Sequence, residues 1–128
     1  MSTGLSRATA YRTVAGFAKT ELLSGVTTIR TVGGLGTLDT RLRDGIAAGK
    51  KIGPRILVAN EGISVPGGHM AGSVAIAAEN IDAAVAHVEE AKRENVDLIK
   101  LMITGGVLEV KEKGVPGELK IRFGNTSL

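Results

Sequence analysis

A lysine interrupts a strongly hydrophobic run of this chain. In VDLIKLMITGG, residues 96–106, Lys100 follows Leu98 and Ile99 and precedes Leu101, Met102 and Ile103, and Thr104, Gly105 and Gly106 close the run. An ammonium group among aliphatics is costly unless its head reaches water or finds a partner. Snorkelling to solvent, or pairing with an acid such as Asp97 or Glu61, is the ordinary outcome. The alternative rests on the two-residue period of a strand. Leu98, Lys100 and Met102 then share one face, with Ile99, Leu101 and Ile103 on the other. A lysine directed into such a layer is driven toward its neutral amine, which suits it to two kinds of chemistry. One is a Schiff-base nucleophile; the other is a carbamate, made with carbon dioxide, that bridges metal ions.

His69, in PGGHM, follows two glycines, and the only other histidine is His87. A single histidine is weak support for a metal centre, which needs several converging ligands. His69 is therefore read as a substrate contact or a plain loop residue, and His87 as a solvent-facing helix residue. The glycines of GGLG and TGG fit turn chemistry, since neither GxxxxGK[ST] nor GxGxxG after a strand is present. GxSxG is absent too, so no Ser/His/Asp arrangement is argued.

These residues need elements to position them. Ala8, Tyr11, Ala15, Ala18 and Leu22 recur at helical spacing in residues 5–24, and Ser24-Gly25 supplies a stop. VTTIRTV, 26–32, is β-branched and reads as a strand. Leu38, Leu42 and Ile46 line a helix that Gly49 ends, and after Pro54 comes a second strand, RILVAN, 55–60. EGISVPGGHMAGS reads as a loop. From the N-cap Asn80, an apolar stripe of Ile81, Ala84, Val85, Val88 and Ala91 carries a helix to about Asn95. The Lys100 strand follows. In the tail, VLEVKEKGVPGELKIRF, two alternating segments flank KGVPG and predict a C-terminal hairpin.

Alternating helices and strands call for right-handed βαβ units in a parallel sheet, with ligands beyond the carboxyl ends of the strands. A core with three aromatic residues in 128 must be built from Val, Ile, Leu and Ala, as parallel sheets covered on both faces are. The length predicts one domain, residues 1–128. Three parallel strands leave both edges unpaired, so either further chain or another copy is expected to complete the sheet.

A formal charge of +3 with interspersed acids, and no aromatic platform, argues against nucleic acid. No apolar stretch is long enough to span a bilayer, so no membrane role is expected. The absence of cysteine leaves the redox compartment open. Location is unknown, cytoplasmic by default, because an export signal would precede the first residue.

Three segments, GVTTIRTVGG (25–34), LRDGIAAGKKIGPRILVANEGISVPGGH (42–69) and VDLIKLMITGGV (96–107), together resemble the metal-dependent amidohydrolase superfamily, in its imidazolonepropionase-like and prolidase-like branch. The likeness covers about residues 8–118, and residues 119–128 form an atypical tail. The resemblance implies a partial (β/α)8 TIM barrel comprising strands two to four, with one or two divalent metals, usually zinc, at the carboxyl ends of the strands. It implies hydrolysis of C–N bonds in amides, dipeptides or cyclic amides by metal-activated water. By motif match, Lys100 is the carboxylated lysine that bridges two metals, and His69, Thr104 and Gly105 border the substrate.

The departures are as specific as the match. The family's His-x-His pair, its two later histidines and its aspartate general base have no counterpart here, and Thr31 stands where the family carries an acid after GVTTxR. A bridging carbamate alone does not hold two metals. The expectation is thus a fragment, inactive by itself, of a metal-dependent hydrolase. Two alternatives stand beside it: a non-catalytic half-barrel that self-associates or docks on a partner carrying the missing strands, and a free-standing enzyme with Lys100 as a Schiff-base lysine.

Overall fold

The computed structural model describes residues 6–103, an α/β arrangement of three helices and short parallel strands. Thr104, Gly105 and the expected C-terminal hairpin lie outside the described residues. Among those described, no helix is long and apolar enough to cross a membrane.

Each helix ends on a residue that accepts left-handed backbone. Helix α1, Arg7–Leu23, begins at the N-cap Ser6, whose side chain accepts from the Thr9 N–H, and ends before Gly25 at φ 103°. Helix α2, Leu38–Ala47, is closed by Gly49 at φ 72°. Helix α3, Ile81–Arg93, starts at Asn80, whose Oδ1 accepts from the Ala83 N–H at 2.8 Å, and ends before Asn95 at φ 56°. In all three the chain turns back so that N–H groups beyond the helix reach its last free carbonyls, as Gly25 reaches Leu22 and Gly49 reaches Ile46, both at 3.0 Å. The helix limits read from the sequence hold to within a few residues.

Strand β1, Thr28–Arg30, pairs in parallel with β2, Arg55–Leu57, in the register Ile29 with Ile56. The ladder then passes to the chain entering the Lys100 segment, where the Val58 carbonyl accepts from the N–H groups of Asp97 and Leu98 at 2.8 and 3.3 Å. Beyond Val58 the strand breaks at Asn60 and resumes as β3, Gly62–Ser64.

The region read as a loop after Asn60 is a correction, because it holds β3 and leads to β4, Ala75–Ala77, in parallel register with it. Three-residue strands flanked by glycine and proline carry too little alternation to be seen as strands. On its other side β3 meets the Lys100 segment through the Ile63–Leu101 bridge. That segment is accordingly a bridge with a few ladder bonds rather than the continuous strand expected.

The core lies between the sheet and the first two helices. Ala18, Leu42, Ile56 and Val58 are buried together, with Tyr11, Val14, Ile29 and Ile46 packed around them. Each large aliphatic buried there contributes about 1.5–3 kcal/mol. Helix α3 departs from the expected pattern. Ile81 and Val85 of its apolar stripe are exposed, whereas Ala91 is buried and Ala84, His87 and Val88 are half-buried. The side turned to the body of the fold is therefore rotated from the stripe toward small residues and His87.

Candidate active-site segment around Lys100

Lys100 lies level with Gly62, one step before the Ile63–Leu101 bridge. The Ile63 N–H donates to the Lys100 carbonyl at 2.8 Å, and the Met102 N–H donates to the Ile63 carbonyl at 2.9 Å. Period two is written in the exposures: Ile99, Leu101 and Ile103 are 38%, 48% and 58% exposed, Met102 between them is 9% exposed, and Leu98 and Lys100 are half-buried. Lys100 thus stands on the more buried face with Leu98 and Met102, as the strand alternation requires.

Gly62 makes room for it. A Cβ added at Gly62 would lie 3.1 Å from the Met102 Cε and 3.3 Å from the Lys100 Cγ, so both side chains cross the space a larger residue would fill. Ser64, level with Met102, is fully buried with its hydroxyl unpartnered.

Of the acids proposed as partners of Lys100, Asp97 is engaged elsewhere. Asp97 Oδ2 accepts from the Val58 N–H at 2.9 Å and from Arg43 Nη1 at 3.0 Å. The Val58 N–H, and behind it the Arg43 guanidinium, hold the Asp97 carboxyl below the usual carboxylate range. Arg43 also donates to the Asn95 carbonyl at 2.7 Å, which ties α2 to the end of α3. The Glu61 carbonyl lies 3.2 Å from His87 Nε2, so His87 faces the strand break rather than solvent. His69 is half-buried in the turn that leaves the carboxyl end of β3. A Cβ at the preceding Gly68 would come within 2.7 Å of Ser64 Oγ, so this turn folds down onto Ser64.

Asn60 is a residue that motif reading passed over. It is 2% exposed at φ 54°, and its side chain is fully used. Oδ1 accepts from the Thr40 N–H at 3.1 Å, and Nδ2 donates to Thr40 Oγ1 at 3.3 Å and Glu94 Oε2 at 2.8 Å. One amide therefore joins the first turn of α2, the strand break and the end of α3. An asparagine ending a β-branched run was the available signal, since asparagine is poor in strands and tolerates left-handed backbone.

Among the described residues, no three histidine, cysteine, aspartate or glutamate side chains converge as a metal cage. A hydrolytic zinc keeps about three protein ligands. One lysine able to carry a carbamate does not supply them, so the described residues by themselves do not fit a metal centre.

No protein-family model matches the sequence, nor does any curated protein. Solved structures do. A protein assigned as a prolidase, from Bifidobacterium longum, is 41% identical over 76% of this chain and 24% of its own, with a TM-score of 0.67. An Xaa-Pro dipeptidase with methionine bound in its active site is 29% identical over 85% of this chain and 30% of its own, with a TM-score of 0.74. A prolidase complexed with N-methylphosphonate-L-proline, at 24% identity, matches in fold, with a TM-score of 0.71 over 82% of this chain. The chain spans less than a third of the length of these proteins. Over that segment it is similar in fold and in sequence to prolidases, and in fold to an amidohydrolase.

Proposed function

We propose that this chain is a partial amidohydrolase barrel, a single domain corresponding to strands two to four, and that the complete enzyme hydrolyses C–N bonds of amide, dipeptide or cyclic-amide substrates. The observation that carries the reading is the position of Lys100. It lies on the inward-turned face of a parallel ladder, with its stem against Gly62, in a chain similar to prolidases. In the complete site Lys100 would serve, as its carbamate, as a ligand to a divalent metal, zinc by kinship. His69, Thr104 and Gly105 would border the substrate.

The 128-residue chain alone is inactive in this reading, because its described residues offer no cluster of metal ligands for Lys100 to join. Metal analysis of the purified protein, together with assay on Xaa-Pro dipeptides and N-acyl amino acids, tests it. The expected result is less than stoichiometric zinc and no turnover. Stoichiometric zinc in a monomer, with hydrolysis lost in Lys100→Ala, would overturn the claim of inactivity.

A second reading is favoured by the outward row of Ile99, Leu101 and Ile103. Here the chain is a non-catalytic module that self-associates or docks onto a partner through this uncovered side of the sheet. Sedimentation separates the two readings. A concentration-independent monomer would sink the self-associating form.

A further inference from the structure

The space between α1, β1 and α2 holds polar atoms that the described residues leave poorly satisfied. Asp39 Oδ2 and Thr31 Oγ1 are both buried and make no well-aligned hydrogen bond among the described residues, although the Thr31 hydroxyl lies close enough to the carboxyl to act on it, and both residues line one cavity of about 160 Å³. The rest of its lining is mainly aliphatic, with Val14 from α1, Leu42 from α2 and Ile56 from β2. Phe17, 65% exposed, and the exposed Glu21 stand at its mouth.

A buried carboxylate oxygen without a donor is an expensive arrangement in a folded protein. The loop after β1 closes one side of it, since a Cβ at Gly34 would lie 2.6 Å from Asp39 Oδ2. The cavity is the side from which a further donor would reach the carboxylate. Burial raises the Asp39 carboxyl above its usual range, and the neighbouring Thr31 hydroxyl offsets part of that effect.

We propose that this cavity is a binding site for a small organic ammonium ion with an apolar body. Three features select that class. The charged residues lining the cavity are Glu21 and Asp39, both acidic, so a cation is favoured and an anion repelled. The aliphatic walls take an apolar body, and a cavity of about 150 Å³ holds a benzene-sized guest. Phe17 at the mouth adds an aromatic ring, a group that attracts cations. A lone water would give Asp39 and Thr31 a partner but leave the aliphatic walls unfilled. The site lies on the helix-covered side of the sheet and does not depend on the amidohydrolase reading.

The test is titration of the 128-residue chain with benzylammonium and, as its neutral counterpart, benzyl alcohol, followed by amide chemical shifts. The expected result is saturable shifts around Val14 and Leu42, with the ammonium bound at least about tenfold more tightly than the alcohol, the ratio a charge-assisted hydrogen bond supplies. Asp39→Asn should reduce that preference to below about threefold by removing the charge. Val14→Phe, which fills the cavity from α1, should abolish binding of both compounds and keeps the proposal testable should Asp39→Asn fail to fold. Absence of saturable shifts, equal affinity for the two compounds, or undiminished binding in Val14→Phe would overturn it.

Discussion

On the side covered by α1 and α2, the aliphatics Leu42, Ile56 and Val58 are closed off from water, whereas on the Lys100 segment Ile99, Leu101 and Ile103 present theirs to it. The first region gains its order from apolar burial, with capped helices laid against a parallel pair. The second is held mainly by polar ties: backbone bonds from β3, the Asp97–Arg43 pair and the Asn60 amide. A region whose own hydrophobic face is uncovered depends on such ties for its position. That is the condition expected of a sheet whose neighbours lie elsewhere.

Truncating each region should expose the contrast most sharply. Ile56→Ala is expected to destabilise the chain by about 3 kcal/mol, the cost of a core cavity, and Leu101→Ala by less than about 1 kcal/mol. Urea unfolding midpoints measure both, and equal losses would erase the distinction between the two regions.

Next in size is the tie at the strand break. Asn60→Ala removes three hydrogen bonds and places alanine at φ 54°, for an expected loss of about 2–3 kcal/mol. Asn60→Gly should recover about 1 kcal/mol of that by relieving the backbone while leaving the bonds broken. If glycine and alanine prove alike, backbone strain is not what distinguishes this position.

The two perturbed carboxyls give opposite pH responses, one in each region. Asp39 binds its proton more tightly in the folded chain than in the unfolded one, so its ionisation lowers stability as pH rises through the folded pKa. Asp39→Asn should therefore raise the melting temperature at pH 7, by an amount that solvent screening keeps below about 1 kcal/mol, and the gain should vanish below the ordinary value of 3.8.

Asp97 behaves in the reverse sense. Its folded pKa is depressed, so the stability it contributes is present above 3.8 and is lost as pH falls through the folded value. Its side chain is 35% exposed, and solvent screening keeps the contribution below about 1 kcal/mol. Thermal melts of Asp97→Asn between pH 2 and pH 7 should show a small loss at neutral pH that closes in acid. A loss that persists in acid would mean that packing, and not charge, holds the 97–102 segment.

Much of the scaffold could be read from local rules. Ser6 and Asn80 cap the starts of α1 and α3, while Gly25, Gly49 and Asn95 end the three helices, because these residues satisfy orphan backbone groups or accept left-handed φ without help from distant parts of the chain. The placement of Lys100 with Leu98 and Met102 follows equally from the pleat. Ser64 escaped notice because its significance lies in burial beneath the 65–69 turn, and the meeting of Asp39 with Thr31 because eight residues of sequence give no sign that they line one cavity. Asn60 could have been suspected from its place at the end of a β-branched run, but not the partners it would take.

The alternation of the helices with the first two parallel strands, the helix limits and the two faces of the Lys100 segment were thus decided by the amino-acid sequence alone, since each rests on the geometry of neighbours within a turn or a pleat. Which face of α3 turns to the body, where the second strand breaks, and which acids pair with Arg43 rather than Lys100 were decided by the tertiary structure. Those outcomes depend on distances between residues far apart in the chain, and a local pattern carries no record of such distances.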